Sequence, residues 1–235
     1  MRLNKYMADC GVASRRACDK LISDGKVSIN GKIVTVLGTI IDENNDNVIV
    51  EGQRIKLQTK MYYLMLHKPK GYVTTVSDDL ERKTVMEFVK NIPARVYPIG
   101  RLDYDTEGLL LLTNDGNLAN KLTHPSNEIP KTYVCRISGG LAKAEILNLS
   151  NGVVIDGKKT APARIQVLEA DAHNTRVSIT ITEGRNRQIK KMFEAVGKDV
   201  EFLKRVAVGD LHLGGLSRGE YRYLSEDEVN YLMNL

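Results

Sequence analysis

Near the start of the chain, apolar residues recur every three or four positions, a spacing that predicts helices. The first such run is Leu3, Tyr6, Met7 and Cys10, and the second is Ala17, Leu21 and Ile22. Gly11 ends the first predicted helix, and Ser14 caps the second. The stretch DGKVSINGKIV then alternates around Asn30-Gly31, a pair that suits a tight turn, so a β-hairpin is predicted. The sequence therefore begins with a small helix-helix-hairpin unit.

A second, larger unit begins after the connector LQTKMYY and mixes strands with helices. Its longest apolar run, Leu109 to Leu112, shows no alternation, so we expect this strand to be covered on both faces. Further strands are predicted at KTYVCRI, ARIQVLEA and TRVSITIT, and helices at LANKLT and AEILNLS. Closely spaced strands, as within residues 163–182, favour antiparallel pairing. We predict an α+β protein, with a helix-helix-hairpin domain over residues 1–58 and a mixed, largely antiparallel β-sheet domain with flanking helices over residues 61–235.

The composition limits where the protein works and what it binds. Hydrophobic residues make up 42% of the 235 residues, enough for a core. The net charge of +5 permits a polyanionic partner such as RNA, although many basic proteins have none. The three cysteines form no CxxC pair, and no long apolar stretch marks a leader or a membrane span. We expect a cytoplasmic protein that does not enter membranes and acts as a monomer.

Several kinds of chemistry lack the residues that they need. The four histidines have no ligand spacing with one another or with a cysteine, so no metal site is predicted. The chain has neither GxxxxGK[ST] nor GxGxxG, so we expect no nucleotide cofactor. Asp103, Asp105 and Glu107 resemble the start of a calcium loop, but the required glutamate at the twelfth position is Asn114.

The stretch GRLDYDTEGLLLLTNDG sets these acids directly before the buried strand. The loop must emerge at the rim of a covered sheet, where functional groups often lie. A carboxylate at such an edge serves as a nucleophile or base when a cation keeps it ionised. Composition alone favours the simpler interpretation, an acidic loop that merely starts a strand.

The first unit resembles the small RNA-binding domain first recognised in ribosomal protein S-four, on the ASRR turn, the second helix and the KVSING hairpin. The resemblance implies that basic and polar side chains of the second helix and hairpin meet structured RNA. The residues at these positions are Arg2, Lys5, Ser14, Arg15, Arg16, Lys20, Lys26 and Lys32. The alternative for any one of them is a solvated charged surface.

Nearly the whole chain resembles the RsuA/RluB-type pseudouridine synthases of ribosomal RNA. The resemblance is carried, in the family's order, by HKPKGYVTT, GRLDYDTEGLLLLTNDG, KTYVCRI, GKKTAPARI and EGRNRQIKKMFEAVG. It implies a redox-neutral isomerisation of uridine in which Asp103 is the catalytic aspartate. Tyr133 of KTY would pack on the flipped base and assist removal of the proton. Asp105 and Glu107 are expected to be supporting or exposed.

The segment EGRNRQIKKMFEAVG is expected to supply a cation. Ile189, Met192, Phe193 and Val196 form one apolar stripe of a helix, with Lys190 at its margin. The resemblance implies that Lys190 pairs with Asp103 and keeps it ionised. Arg101, Arg185 and Arg187 are expected to meet RNA phosphates.

Alternatives remain open at this point. Asp103 adds to the anomeric carbon or abstracts a sugar proton, and both routes need an ionised carboxylate. The sequence of the GRLD stretch resembles more closely the family members that act on large-subunit (23S) rRNA than those that act on small-subunit (16S) rRNA. A non-enzymatic ribosomal RNA-binding or ribosome-assembly protein is the alternative from another class. A methyltransferase carrying the same first domain is disfavoured because the glycine-rich cofactor loop is absent.

Overall fold

A computed structural model describes the whole chain, residues 1–235, and contains two compact units. The first unit consists of Met1–Tyr62, Pro93–Val96 and Asn114–Gly116, and the second of Tyr63–Ile92, Tyr97–Thr113 and Asn117–Leu235. Two short segments of the first unit thus come from beyond residue 61. The division into independent domains at 1–58 and 61–235 stays a prediction.

Two helices and a small sheet build the first unit. The helices are α1 (Leu3–Asp9) and α2 (Arg15–Ser23), and the strands are β1 (Val27–Ile29), β2 (Lys32–Ile33), β3 (Val48–Val50) and β4 (Gln53–Arg54). All neighbouring strands are antiparallel, in the order β2-β1-β3-β4. The Ser14 hydroxyl accepts a hydrogen bond from the backbone N–H of Ala17 at 3.2 Å, which confirms the predicted cap of α2.

The predicted apolar faces of these elements meet in one core. Its buried residues are Leu3, Tyr6, Met7, Cys18, Ile22, Val27, Ile41, Val48 and Val50. The hairpin between β1 and β2 turns at Asn30 and Gly31, whose φ angles are 51° and 81°. Two successive positive φ angles define the turn that the Asn-Gly pair predicted.

The remaining elements alternate strands and helices. The strands are β5 (Tyr63–Lys68), β6 (Tyr97–Ile99), β7 (Glu107–Thr113), β8 (Lys131–Ser138), β9 (Val154–Ile155), β10 (Lys158–Lys159), β11 (Arg164–Ala170), β12 (Asn174–Ile181), β13 (Val200–Val208), β14 (Leu211–His212) and β15 (Tyr221–Tyr223). The helices are α3 (Gly116–Thr123), α4 (Lys143–Asn151), α5 (Gln188–Glu194) and α6 (Glu226–Asn234), with short 3₁₀ turns at Val85–Phe88 and Pro125–Asn127.

A nine-stranded sheet dominates the second unit. Its main path is β11-β12-β8-β13-β7-β5-β15, with β14 paired to β13 and β6 paired to β7. Every strand pair is antiparallel except β7 with β13, which is parallel. The mixed, largely antiparallel sheet of an α+β protein is thus confirmed. The strands β9 and β10 form a separate hairpin.

Strand β7 lies near the centre of this sheet, and all of its residues are buried. The predicted covering of Leu109 to Leu112 is confirmed, and the strand begins two residues earlier, at Glu107. Gly108 pairs with Arg205 of β13 and has a φ of 116°. A Cβ atom at Gly108 would lie 2.2 Å from the Arg205 carbonyl oxygen, so only glycine allows this approach. The close pairing sets the loop before β7 beside β13.

Candidate active site

A cleft of about 290 Å³ opens beside the loop that precedes β7. Asp103 of this loop, Tyr133 of β8 and Arg205 of β13 all line it. A smaller hollow of about 90 Å³ shares Arg101, Asp103, Tyr133 and Arg185 with the cleft. The structure therefore brings together four residues that the sequence analysis selected from three separate motifs.

Lys68, at the end of β5, holds the loop from within. Its side chain is fully buried, and its ammonium donates to the carbonyl oxygens of Asp103 at 2.9 Å, Thr106 at 2.8 Å and Pro69 at 3.2 Å. Burial lowers the pKa of Lys68 to about 8, against the opposing effect of the neighbouring carboxylates. The backbone N–H of Thr106 also donates to the Asp103 carbonyl at 3.1 Å. The backbone that carries Asp103 is therefore fixed on two sides.

The Asp103 carboxylate, in contrast, has no protein partner. It is half-buried, it lines the cleft, and it forms neither a hydrogen bond nor an ion pair within 4.0 Å. All the contacts that fix this residue go to its backbone oxygen. A carboxylate on a rigid support that faces an open cleft is ready to meet a substrate.

Tyr133 and Arg205 form the wall opposite the loop. Tyr133 is buried, with 8% of its surface exposed, and the Arg205 guanidinium carbon lies 6.0 Å from its ring centroid. Arg205 is 4% exposed and donates through Nε to the Leu109 carbonyl at 2.7 Å. The wall thus combines an aromatic surface with a buried, oriented cation.

Sequence reasoning missed two cations of the cleft, Arg205 and Lys131. Arg205 lies in β13 between the buried residues Leu203 and Ala207, so a charged residue occupies an inward position of an alternating strand. That pattern was the available signal, because buried charges need a partner or a task. Lys131 also lines the cleft, donates to the Ile129 carbonyl at 2.8 Å, and has a pKa lowered to about 8 by burial and by Arg205.

The predicted ion pair between Lys190 and Asp103 is not formed. Lys190 lies on α5 as expected, but its ammonium donates to the Asp105 carboxylate, which Arg187 also approaches at 3.7 Å. Burial would raise the pKa of Asp105, but the hydrogen bond from Lys190 and the two positive charges lower it. Asp105 is exposed and is the carboxylate that the α5 cations reach, whereas Asp103 lines the cleft.

Glu107, the third acid of the stretch, has yet another partner. It is 3% exposed and receives two hydrogen bonds from Arg218, at 2.9 and 3.1 Å. His67 Nε2 lies 3.9 Å from the same carboxylate. The acids that resemble a calcium loop thus have separate surroundings, and the structure contains no group of His, Cys, Asp and Glu side chains arranged to hold a metal ion.

The arginines expected to contact phosphates differ in their exposure and in their hydrogen bonds to other protein groups. Arg101 is exposed and lines the cleft, and Arg187 is exposed and lines the smaller hollow. Arg185 is occupied by protein groups, since it donates to the carbonyls of Lys158 at 2.9 Å and Lys159 at 2.6 Å and lies 3.3 Å from Glu183. Arg185 therefore joins the loop before α5 to the β9–β10 hairpin, and its predicted phosphate contact would require these bonds to be exchanged.

The basic residues expected to bind RNA in the first unit are mostly exposed. Exposed members of this set are Arg2, Ser14, Arg15, Arg16, Lys20, Lys26 and Lys32. Lys5 is half-buried and pairs with Asp9 at 3.4 Å, and the Ser14 hydroxyl is used as the cap of α2. None of the helices in the structure has the length and apolarity that a membrane crossing requires.

Comparison with known proteins supports both units. The model of the family described as RNA pseudouridylate synthase matches residues 62–195, and that of the S4 domain matches residues 1–48. A relative from Bacillus subtilis (strain 168), called ribosomal large subunit pseudouridine synthase B, is 48% identical over 100% of this chain and 96% of its own length. An uncharacterized RNA pseudouridine synthase of Aquifex aeolicus (strain VF5) is 40% identical over 99% of this chain and 93% of its own. A crystal structure of a pseudouridylate synthase matches with a TM-score of 0.71 and 34% identity, covering 99% of both chains.

Proposed function

Since the chain belongs to the RNA pseudouridylate synthase family, we propose that it converts a specific uridine of large-subunit ribosomal RNA to pseudouridine, with Asp103 as the catalytic carboxylate. The enzyme class follows from the family, which sets aside a non-enzymatic RNA-binding protein. The large-subunit target is supported by the name of the Bacillus relative, which matches over the full length of this chain. The observation that carries the catalytic role is the free carboxylate on a fixed loop at the cleft.

The reaction breaks the bond from C1′ of the ribose to N1 of uracil and forms a bond from C1′ to C5. The new bond displaces the proton of C5, and N1 gains a proton, so the product is an isomer of the substrate and no oxidant or reductant is needed. Asp103 acts either by adding to C1′ or by abstracting a proton from the sugar, and both routes require its ionised form. The uridine must leave the RNA helix to reach the cleft, because its reacting atoms are otherwise shielded by stacking.

Arg205 and Tyr133 complete the proposed chemistry. The Arg205 guanidinium is buried and lines the same cleft as Asp103, so its fixed positive charge can stabilise negative charge that develops on a substrate held there. In the proposal Arg205, and not Lys190, is the cation of the catalytic cleft. Tyr133 offers its ring as the surface on which the flipped uracil stacks and its hydroxyl to assist transfer of the C5 proton.

The first unit is proposed to hold the ribosomal RNA. Its match to the S4 domain and its exposed basic side chains support this assignment. Action as a monomer is part of the proposal. A ribosomal RNA substrate, together with three free cysteines, supports a cytoplasmic location.

Pseudouridine mapping tests this function directly. Ribosomal RNA is mapped from cells with the gene, without it, and with the gene restored as wild type or as Asp103→Asn. We expect one pseudouridine of the large-subunit RNA to disappear on deletion and to return only with the wild-type protein. A lost site in small-subunit RNA would overturn the proposed target, and full restoration by Asp103→Asn would overturn the catalytic assignment.

A further inference from the structure

Tyr104 follows Asp103 directly in the loop before β7, and its side chain is exposed. Its exposed fraction is 56%, whereas Tyr133, in the wall of the cleft, is 8% exposed. An exposed aromatic ring one residue from the catalytic carboxylate is available to a ligand that reaches that carboxylate. The exposed residues Val76 and Leu80 lie on the segment after Thr74 and are 40% and 72% exposed.

The backbone under this ring is fixed to a neighbouring segment. Gly71 N–H donates to the Tyr104 carbonyl at 2.8 Å, and the Thr74 hydroxyl donates to the Leu102 carbonyl, also at 2.8 Å. Segments 71–74 and 102–104 therefore run side by side. A Cβ atom at Gly71 would lie 4.0 Å from the Tyr104 hydroxyl, which sets the ring near Gly71. A ring with so fixed a support loses little conformational entropy on binding.

One positive charge lies within electrostatic reach of the Tyr104 hydroxyl, that of Arg82. Arg101 and Lys70 are exposed on the two segments that the hydrogen bonds join. The Arg82 guanidinium is itself held by Asp78 at 2.6 and 3.0 Å. An aromatic surface between cations is the arrangement with which proteins hold an unstacked nucleobase and its phosphates.

We propose that Tyr104 is the stacking surface for a nucleobase next to the target uridine. When the uridine flips into the cleft, each neighbouring base loses a stacking partner, and Tyr104, one residue from Asp103, offers an exposed ring to such a base. Stacking accepts any base, because every base has a π surface. Tyr104 is thus a binding residue for the flanking strand. This inference rests on the proposal that Asp103 meets the flipped uridine.

The test uses the full-length enzyme and a short unmodified transcript around the uridine that wild type converts. Tyr104→Ala is expected to weaken binding by about tenfold, the scale of one lost stacked base, while Tyr104→Phe binds as wild type does. Single-turnover rates at saturating RNA should change less than the affinity. Tyr223→Ala is the matched control, because Tyr223 is 53% exposed on β15 at the sheet edge, and it should bind normally.

Abasic transcripts identify the stacked position. One transcript lacks the base before the uridine, and another lacks the base after it. Only one of the two should bind wild type more weakly than the intact transcript does. Tyr104→Ala should bind that transcript as well as it binds the intact one. Normal binding by Tyr104→Ala would overturn the inference, as would equal losses in Tyr104→Phe and Tyr104→Ala. Wild-type enzyme is also tested for conversion of the unaltered transcript. If the proposed function were wrong, this conversion would be absent. If only the inference about Tyr104 were wrong, conversion would still occur.

Discussion

The cleft of the second unit and the basic surface of the first unit both carry positive charge, but they hold it in opposite ways. Lys68 beneath the Asp103 loop and Arg205 in the wall of the cleft are buried, and each is oriented by hydrogen bonds to backbone carbonyls. On the first unit, the side chains of Arg15 and Arg16 are exposed and form no ion pair or hydrogen bond. Buried charges with fixed partners define a geometry, whereas free surface charges add attraction to a polyanion.

This difference predicts separate consequences for mutations. Changes in the cleft should alter the rate of reaction or the stability of the fold and leave RNA affinity largely intact. Changes on the surface of the first unit should alter affinity and its dependence on salt and leave the saturated rate intact.

Asp103→Asn should produce the largest effect. The amide keeps the size of the side chain but cannot act as a nucleophile or base, so the single-turnover rate should fall by several orders of magnitude with unchanged RNA binding. Asp105→Asn is the matched control in the same loop. It weakens only the pairs of the half-exposed Asp105 carboxylate with Lys190 and Arg187, and its rate should fall by at most about fivefold. Equal losses in the two variants would contradict the assignment of roles within this loop.

Arg205→Met should reduce the rate by about tenfold to a hundredfold at neutral pH. It removes the buried, oriented charge from the wall of the cleft, while methionine keeps an unbranched side chain in its place. Single-turnover rates at saturating RNA measure this effect. Arg136→Met serves as control, because Arg136 lies on the exposed side of β8 and pairs with Glu201 at 3.0 Å. Activity of Arg205→Met at the wild-type level would mean that this cation is only structural.

Lys68→Met tests the support beneath Asp103. It removes the ammonium donor from the carbonyls of Thr106 and Asp103, of which Asp103 keeps the hydrogen bond from the Thr106 N–H, and an unpaired buried carbonyl costs about 1–3 kcal/mol. The pKa of Lys68 is lowered to about 8 in the fold. The unfolded chain therefore binds more protons between that pH and the ordinary lysine pKa, so wild-type stability should rise with pH in this window relative to the variant. Urea unfolding of both proteins at about pH 7 and about pH 9.5 measures the difference. A constant difference would contradict the lowered pKa.

Much of the cleft was predictable because two of its residues lie in contiguous motifs. Asp103 lies in GRLD and Tyr133 in KTYVCRI, so the family resemblance selected both, whereas composition alone favoured a plain acidic loop; both residues line the cleft. The partner of Lys190 was not predictable. Helical periodicity predicts that Lys190 lies at the margin of α5. Its partner is Asp105, 85 positions earlier in the chain. Periodicity does not indicate which of two neighbouring carboxylates, Asp103 or Asp105, faces a helix so distant in sequence.

The same distinction applies to the fold. The Asn30-Gly31 turn and the Ser14 cap depend on neighbours in sequence, and both were predicted. The parallel pairing of β7 with β13 sets Gly108 beside Arg205, and no pattern of neighbouring residues in the sequence predicts it. The same pairing brings Arg205 to the cleft. The sequence analysis did not identify β13 as the neighbour of β7, and for that reason it also did not identify Arg205 as a cleft residue.

The smallest effect is expected from the paired change Arg15→Ala and Arg16→Ala. Both side chains are exposed at the start of α2 and have no protein partner, so thermal stability should stay at the wild-type value. If each contacts one phosphate, the slope of log affinity against log salt should become shallower by about 1.4–1.8 in total, with the saturated rate unchanged. Lys90→Ala with Lys143→Ala removes the same charge from exposed positions of the second unit and should leave the slope unaltered. An equal change of slope in both double variants would show that the effect depends only on the net charge of the protein. An unchanged slope in the arginine double variant would show that α2 does not contact the RNA.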